Sequence, residues 1–154
     1  PPGLTPSATA QPVVINNNGA VIRTSLVLNP AQPDIFTSTN GAGGRALVLN
    51  ITNPLTQTTE PFPAPSRLLI MLTGVRLNTL TTSNITVRIG TTDLSGAAIV
   101  SVGPSQTAGF DQIVVDLPAS LAGAGDVPVI VTVSVGGSTF TSRPAESAPR
   151  ITIQ

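Results

Sequence analysis

The chain has 154 residues, a formal net charge of zero and only 9% charged residues. It contains no His, Cys, Lys, Trp or Tyr, so it lacks the side chains that most often act as general bases, nucleophiles and soft-metal ligands. These features exclude a Ser-His-Asp hydrolase, a disulfide framework and a zinc site, and they leave nucleic acid no basic patch to bind. They favour a structural or binding protein that is not an enzyme.

The N-terminal residues predict an extended arm followed by a β-hairpin. Residues 1–12 are rich in Pro, Ser, Thr and Gly, a composition typical of extended chain. An apolar run at 13–15 leads to Asn18-Gly19, and Asn-Gly is a strong signal for a tight turn because both turn residues take a positive φ. The second strand of the hairpin is predicted at 21–28, with alternate residues from Ile22 onward on one face.

The rest of the chain predicts short strands separated by turns. Apolar runs that alternate or continue over a few residues occur at 46–52, 67–73, 84–89, 97–102, 112–117, 127–135, 139–142 and 151–153. The run at 67–73 is apolar on both faces, which indicates a central buried strand. Only Ala119–Ala122 looks helical, for one turn at most. About ten strands at this spacing favour an all-β, antiparallel Ig-like sandwich at residues 30–154, preceded by an arm and hairpin at 1–29.

The same alternation predicts the core. On each strand, the alternate apolar side chains that point to one face should be buried. These are Leu47, Leu49, Ile85, Val87, Ile89, Ile113, Val115 and Leu117, together with Val127, Val129, Val131, Val133 and Val135.

Two asparagines that the strand alternation predicts to face outward are candidate modification sites. Asn50 and Asn84 each begin an Asn-Ile-Thr sequence, which matches the N-glycosylation acceptor pattern. The pattern is short and the chain is rich in Thr, so a chance match is the competing interpretation. Surface glycans are therefore candidate partners.

Acidic side chains provide no convincing catalytic or metal site. Asp111 and Asp116 are five residues apart, so on one strand they would face opposite sides and form no carboxylate pair. There is no calcium-loop sequence, and the remaining acids are better explained as solvated turn residues. No cofactor is expected. No apolar run reaches the length of a membrane span.

The N-terminal hairpin resembles a second hairpin near the C-terminus. A Pro-preceded strand, a Gly-containing turn and a second strand occur at 12–24 and again at 128–142. One interpretation is that any two hairpins of a Val-rich chain look alike. The other is that residues 1–29 copy the last hairpin of a sandwich but have no sandwich of their own.

Four stretches can be compared with a known module. They are 33–37 (PDIFT), 44–50 (GRALVLN), 72–76 (LTGVR), and 109–118 (GFDQIVVDLP) with 120–125 (SLAGAG). Together they resemble the Ig-like C-terminal module of IPT/TIG type found in large secreted proteins of acidobacteria, over about residues 20–154. The resemblance implies an exported β-sandwich without catalytic residues. In that family the preceding segment tends to look like the end of another Ig-like domain, and residues 11–29 fit this description.

Two functional hypotheses follow. The first is a secreted structural subunit, extracellular or on the cell surface, that polymerises head-to-tail with other copies of itself into a filament or sheath. It would do so by adding the N-terminal hairpin to a neighbouring sheet. The second is an adhesion or carbohydrate-binding Ig-like module of a larger surface protein. The Pro1-Pro2 start, with no apolar leader, favours a processed exported form. The predicted assembly residues are Val13, Ile15, Ile22, Leu26 and Leu28.

Overall fold

The computed structural model describes residues 5–39, 41, 43–52, 56–75 and 80–154. The first four residues of the predicted arm and Arg76 of the LTGVR stretch lie outside the described residues. The chain forms two compact units, Pro1–Pro30 and Ala31–Gln154. We call them the hairpin unit and the sandwich body. The boundary between the units lies one residue beyond the predicted one.

The regular secondary structure of the described residues is almost entirely β. The only helical segments among them are three 3₁₀ turns, at Thr82–Asn84, Gly96–Ala98 and Ala119–Leu121. The strands are β1 (Ser7–Asn17), β2 (Ala20–Leu28), β3 (Asp34–Ile35), β4 (Val48–Asn50), β5 (Ser66–Thr73), β6 (Ile85–Ile89), β7 (Thr92–Leu94), β8 (Ile99–Pro104), β9 (Asp111–Leu117), β10 (Gly125–Val135), β11 (Ser138–Thr141) and β12 (Arg150–Ile153).

The sandwich body consists of two antiparallel sheets. In one sheet the strand order is β11–β10–β6–β7, and β12 also pairs with β10. In the other the order is β3–β5–β9–β8, and β4 also pairs with β5. The predicted central strand is confirmed, because β5 pairs with β9 on one edge and with β3 and β4 on the other. The prediction of an all-β antiparallel sandwich is confirmed.

One hydrophobic core joins the two sheets. It contains Leu68, Ile70 and Leu72 of β5 together with Val87 of β6 and Val131 of β10, each at most 1% exposed. A valine of this kind gains about 1.5–3 kcal/mol from full burial. The predicted core is confirmed for β6, β9 and the middle of β10. The buried residues are Ile85, Val87, Ile89, Ile113, Val115, Leu117, Val129, Val131 and Val133. The two end valines of β10, Val127 and Val135, are half-buried and pack against the core.

The predicted register of the strand at 46–52 is wrong. Leu47 and Leu49 are half-buried, and their neighbours Val48 and Asn50 are the buried residues. The run Leu-Val-Leu is apolar at both parities, so hydropathy does not distinguish its two faces. Asn50 is 5% exposed because its side chain is satisfied inside: Nδ2 donates to Gln57 Oε1 at 3.2 Å, and Oδ1 accepts from the Thr52 amide at 3.0 Å.

The predicted arm is also shorter than expected. Residues 7–12 are not free chain but the first half of β1, which pairs with β2 up to Ser7 and Leu28. The register shifts between Ser7 and Gln11. Pairing reaches this far because Pro12 is the only described residue of β1 without an amide N–H, and one missing donor near a bulge is tolerated on an edge strand.

One flank of the sandwich is closed by hydrogen bonds between the sheets. Strand β12 forms parallel bridges to Arg45 and to Phe62. The Ala46 amide donates to Arg150 O at 2.9 Å, and the Phe62 amide donates to Thr152 O at 2.9 Å. Because β12 belongs to one sheet and residue 46 leads directly into β4 of the other, these bonds join the two sheets along this flank.

Ion pairs reinforce the closed flank. Arg45 bonds to Glu60 and, at 2.5 Å, to Asp126 Oδ1, while Arg150 Nε bonds to Asp126 Oδ2 at 2.5 Å. Glu60 also accepts from the Thr152 amide at 3.0 Å. The hydrogen bonds from Arg45 and then Arg150 hold the pKa of Asp126 below its ordinary value. These charges therefore lie where they join separate segments of the body.

Candidate self-association surface

The hairpin unit is a two-stranded antiparallel sheet whose turn has the predicted geometry. Asn17 and Ala20 close the turn, and Asn18 and Gly19 both have positive φ, at 49° and 93°. The Gly19 amide donates to Asn16 Oδ1 at 2.9 Å, which further fixes the turn. The prediction of a positive φ at Gly19 is confirmed, and this turn type matches the natural twist of two antiparallel strands.

The five predicted assembly residues share one face of this hairpin. Ile15 lies opposite Ile22, and Val13, Leu26 and Leu28 follow at even spacing on the same side. We call this set the apolar face. Ile15 is 50% exposed, Ile22 is 59% exposed and Leu26 is 53% exposed. The remaining two residues are half-buried.

The opposite face of the hairpin is also partly apolar, which the sequence analysis missed. Val14, Val21 and Val27 are 50–54% exposed on that face. They alternate there with Arg23 and Ser25. The signal was present in the unbroken runs Val-Val-Ile and Leu-Val-Leu, since a strand that is apolar at both parities has two apolar faces.

The hairpin β10–β11 provides an internal comparison for the hairpin unit. Its turn residues Gly136 and Gly137 also both have positive φ, at 58° and 76°. Strands β1 and β10 each have 11 residues. Aligned on the turns, Pro12 matches Ile130 rather than Pro128, so the predicted alignment of the first strands was displaced by two residues.

In the turn alignment, the apolar face corresponds to the face of the β10–β11 hairpin that packs into the core. Ile15 lies three residues before its turn, as Val133 does, and Val133 is fully buried. Ile22 lies three residues after its turn, as Phe140 does, and Phe140 packs against the core. In the sandwich body, this face of the hairpin is covered by a second sheet. In the hairpin unit, the equivalent residues Ile15 and Ile22 are at least half exposed.

Charge does not protect the hairpin. It contains no acidic residue, and Arg23 is its single charged side chain. Among the described arginines, Arg23 alone has no ion-pair partner. Soluble proteins usually protect exposed strand edges with charges, bulges or proline. The strand β2 has one charge and none of the other protections.

Asp111 and Asp116 do not form a carboxylate pair, as their spacing predicts. Asp111 is 2% exposed and accepts the Val75 amide at 3.1 Å, whereas Asp116 is paired with Arg67 on the other side of the same strand. The guanidinium of Arg67 lowers the pKa of Asp116. Among the described residues, no three His, Cys, Asp or Glu side chains are placed to hold a metal ion. None of the described helical turns is long or apolar enough to cross a membrane.

The two candidate glycosylation sites differ in exposure. Asn50 is buried, so the prediction that it faces outward is wrong, for the reason given above. Asn84 is half-buried, and its Nδ2, the atom a glycan would modify, donates to Ser134 O at 2.8 Å. Its modification stays a prediction.

A shallow concavity of about 410 Å³ lies on the outer face of the β11–β10–β6–β7 sheet. Its polar groups are threonine hydroxyls and the ion pair between Arg88 and Asp93, in which Arg88 Nε donates to Asp93 Oδ1 at 2.6 Å. The pair lowers the pKa of Asp93. The lining residues are Thr86, Arg88, Asp93, Ile130, Thr132, Thr141 and Pro144.

No protein-family model matches the chain, and comparisons with curated proteins and with solved structures gave no significant match. The resemblance to an Ig-like module of IPT/TIG type therefore stays a prediction.

Proposed function

We propose that this protein is a secreted structural subunit that assembles with other copies of itself through its N-terminal hairpin. The exposed apolar face of the hairpin unit is the observation that carries the proposal. A two-stranded hairpin is marginally stable by itself in water, and it becomes stable when a further strand or layer covers it. The hairpin therefore gains stability from a partner that supplies backbone pairing, apolar cover or both.

The composition supports a partner that is another copy of the chain. With 9% charged residues and no net charge, the protein has little of the electrostatic repulsion that keeps soluble proteins apart. A hairpin that binds a different surface of the next copy makes a head-to-tail contact. Such contacts do not have to close, so they generate extended polymers such as a filament or sheath. We place this assembly outside the cell or on its surface.

A second candidate function is an adhesion or carbohydrate-binding module. The outer concavity of the β11–β10–β6–β7 sheet favours it, because hydroxyl groups and an Arg–Asp pair are suitable hydrogen-bond partners for a sugar. The described lining residues include no aromatic side chain on which a sugar ring would stack. We therefore rank this function below self-assembly.

The test compares two neighbouring substitutions on β2. Ile22→Asp places a carboxylate on the apolar face, and Val21→Asp makes the same change one residue away on the opposite face. Burying an isoleucine contributes about 1.5–3 kcal/mol, so Ile22→Asp should weaken self-association at least tenfold. Val21→Asp should weaken it less. Sedimentation velocity over a concentration series measures both, and negative-stain electron microscopy shows whether polymers form.

A truncated chain of residues 31–154 is the second variant. The buried core lies entirely within this unit, so the truncated chain should remain folded by circular dichroism. It should no longer form polymers. A parent chain that stays monomeric throughout the concentration series would refute the proposal, as would a truncated chain that forms the same polymers. A monomer that binds glycans instead would support the second candidate function.

A further inference from the structure

Among the described residues, both outer edges of the hairpin lack a pairing strand, and β2 is the better donor. β2 is a regular strand of nine residues with neither proline nor a bulge. β1 contains Pro12, which lacks an N–H, and its register shifts between Ser7 and Gln11. The outer edge of β2 thus offers the longest uninterrupted row of N–H and C=O groups in the hairpin.

Most edges of the sandwich body are short, covered or charged. Segments around Arg45 and Phe62 cover the outer edge of β12, as described above. β7 has only three residues. β11 has four residues and is soon followed by Arg143, whose guanidinium makes two bonds to Asp34, at 2.9 and 3.0 Å. Each of these edges is therefore covered, or it carries or adjoins a charged residue.

The edge of β8 is different. Among the described residues, β8 pairs with β9 and with no other strand. No charged residue occurs between Asp93 and Asp111, a stretch that contains the whole of β8. Among the described residues of the sandwich body, Val100 is the only exposed large apolar side chain, at 40% exposure. It lies at a bulge, so regular pairing with β9 covers only the four residues from Ser101 to Pro104. β8 therefore differs from the other edges in its lack of charge and not in its length.

We infer that β8 is the acceptor and that β2 of a second copy adds to its free edge. This inference rests on the proposed function and names the contact by which it operates. On β8, Ile99 and Val102 point inward, and Ser101 is exposed on the outer side. When β2 adds to β8, its two faces continue the two faces of β8. The apolar face then lies beside Val102, and the opposite face, which carries Arg23 and Ser25, lies beside Ser101. Neither edge carries an acid that would repel the other or would need to be desolvated.

Cysteine cross-linking between copies tests the contact directly, since the natural chain has no cysteine. Ser101→Cys chains are mixed with chains carrying Arg23→Cys, Thr24→Cys or Ser25→Cys, and the mixtures are mildly oxidised. Because each chain has one thiol, a mixed disulfide joins two copies. Side chains on the same face of adjacent strands are close enough to bond, and those on opposite faces are not. We expect cross-linking at position 23 or 25 and at least tenfold less at position 24.

The matched acceptor control is Thr139→Cys, an exposed residue on the edge strand β11. Cross-linking to Ser101→Cys but not to Thr139→Cys supports β8. Cross-linking to Thr139→Cys alone, or equal yields at positions 23, 24 and 25, overturns the inference. If neither acceptor cross-links although Ile22→Asp still weakens association, β8 is the wrong edge and the hairpin proposal stands. If Ile22→Asp has no effect, the proposed function itself fails.

A second measurement does not depend on disulfide geometry. Ser101→Lys puts a charge on the acceptor edge, and Ser134→Lys puts the same charge on an exposed position of β10 in the other sheet. We expect Ser101→Lys to weaken self-association at least tenfold and Ser134→Lys to leave it within twofold. Equal effects of the two substitutions would show that net charge, rather than the β8 edge, controls assembly.

Discussion

The two hairpins of this chain have the same turn geometry and different surroundings. In β10–β11, Val131 is fully buried beneath the opposite sheet. In β1–β2, Val13 occupies the equivalent position relative to the turn, and the residues beside it on the same face, Ile15 and Ile22, are at least half exposed. The comparison shows that a strand pattern specifies which face of a hairpin is apolar. It does not specify which layer covers that face.

The largest expected difference between the two regions is in the stability lost when a glycine of each is replaced by alanine. Gly74 in the body has a φ of +80°, and a Cβ there would lie 1.8 Å from Gln32 O. The Gln32 amide donates to Gly74 O at 3.0 Å, so these backbones cannot separate without losing that bond. Gly74→Ala should therefore reduce the free energy of unfolding by on the order of 3 kcal/mol. Urea denaturation followed by circular dichroism measures this, since the chain has no Trp or Tyr for fluorescence.

Gly19→Ala is the matched change in the hairpin. Gly19 also has a positive φ, but a Cβ there would meet nothing within 4 Å. Only the left-handed backbone penalty of about 1–2 kcal/mol remains, and it falls on a unit none of whose described residues belongs to the core cluster of the body. The urea midpoint of the body should not move. A loss of body stability equal to that of Gly74→Ala would contradict the division into two independent units.

The second prediction uses the equivalent valines. Val131→Ala removes fully buried methyl groups and should cost the body about 1–3 kcal/mol through lost burial and a cavity. Val13→Ala should leave the body's unfolding unchanged and instead weaken self-association. Urea denaturation and sedimentation velocity on both variants separate the two effects. If Val131→Ala affects association and Val13→Ala affects body stability, the assignment of the two faces is reversed.

The body was predictable wherever strict alternation left one choice of face. β6 reads Ile-Thr-Val-Arg-Ile, and its three apolar residues are buried as expected. At Leu47–Leu49 both parities are apolar, and burial was decided by the hydrogen bonds of Asn50 to Gln57 and Thr52. Gln57 lies seven residues further along the chain, so hydropathy along one strand does not show this contact.

The candidate site was predictable in part for the same reason. Alternate spacing after the Asn18-Gly19 turn was sufficient to assign Ile22, Leu26 and Leu28 to one face. The acceptor edge was not predictable, because an edge exists only once sheet order is known. The run that contains β8 was predicted to begin at residue 97, and the structure places a 3₁₀ turn at Gly96–Ala98 before the strand. Tertiary order, rather than propensity, makes this strand an edge.

The smallest expected effect concerns pH, and it separates the charged body from the nearly uncharged contact. The pKa of Asp126 is lowered in the folded protein, chiefly by the hydrogen bonds from Arg45 and Arg150. A lowered folded pKa means that this stabilisation is fully present above the ordinary value of 3.8 and is lost as the pH falls through the folded pKa. Because the Asp126 side chain is 49% exposed, the loss should be about 1 kcal/mol or less.

Asp126→Asn should slightly lower the urea midpoint of unfolding at pH 7. It should also make that midpoint fall less steeply as the pH is lowered. Asp93→Asn is the control, because its partner Arg88 lies on the adjacent strand of the same sheet and joins no separate segments. Self-association should not change between about pH 5 and pH 8, because neither the hairpin nor the stretch from Leu94 to Phe110 contains an acidic residue. Sedimentation velocity at both pH values measures this. A pH-dependent association of the folded protein would place titrating groups in the contact and would exclude the pairing of β2 with β8.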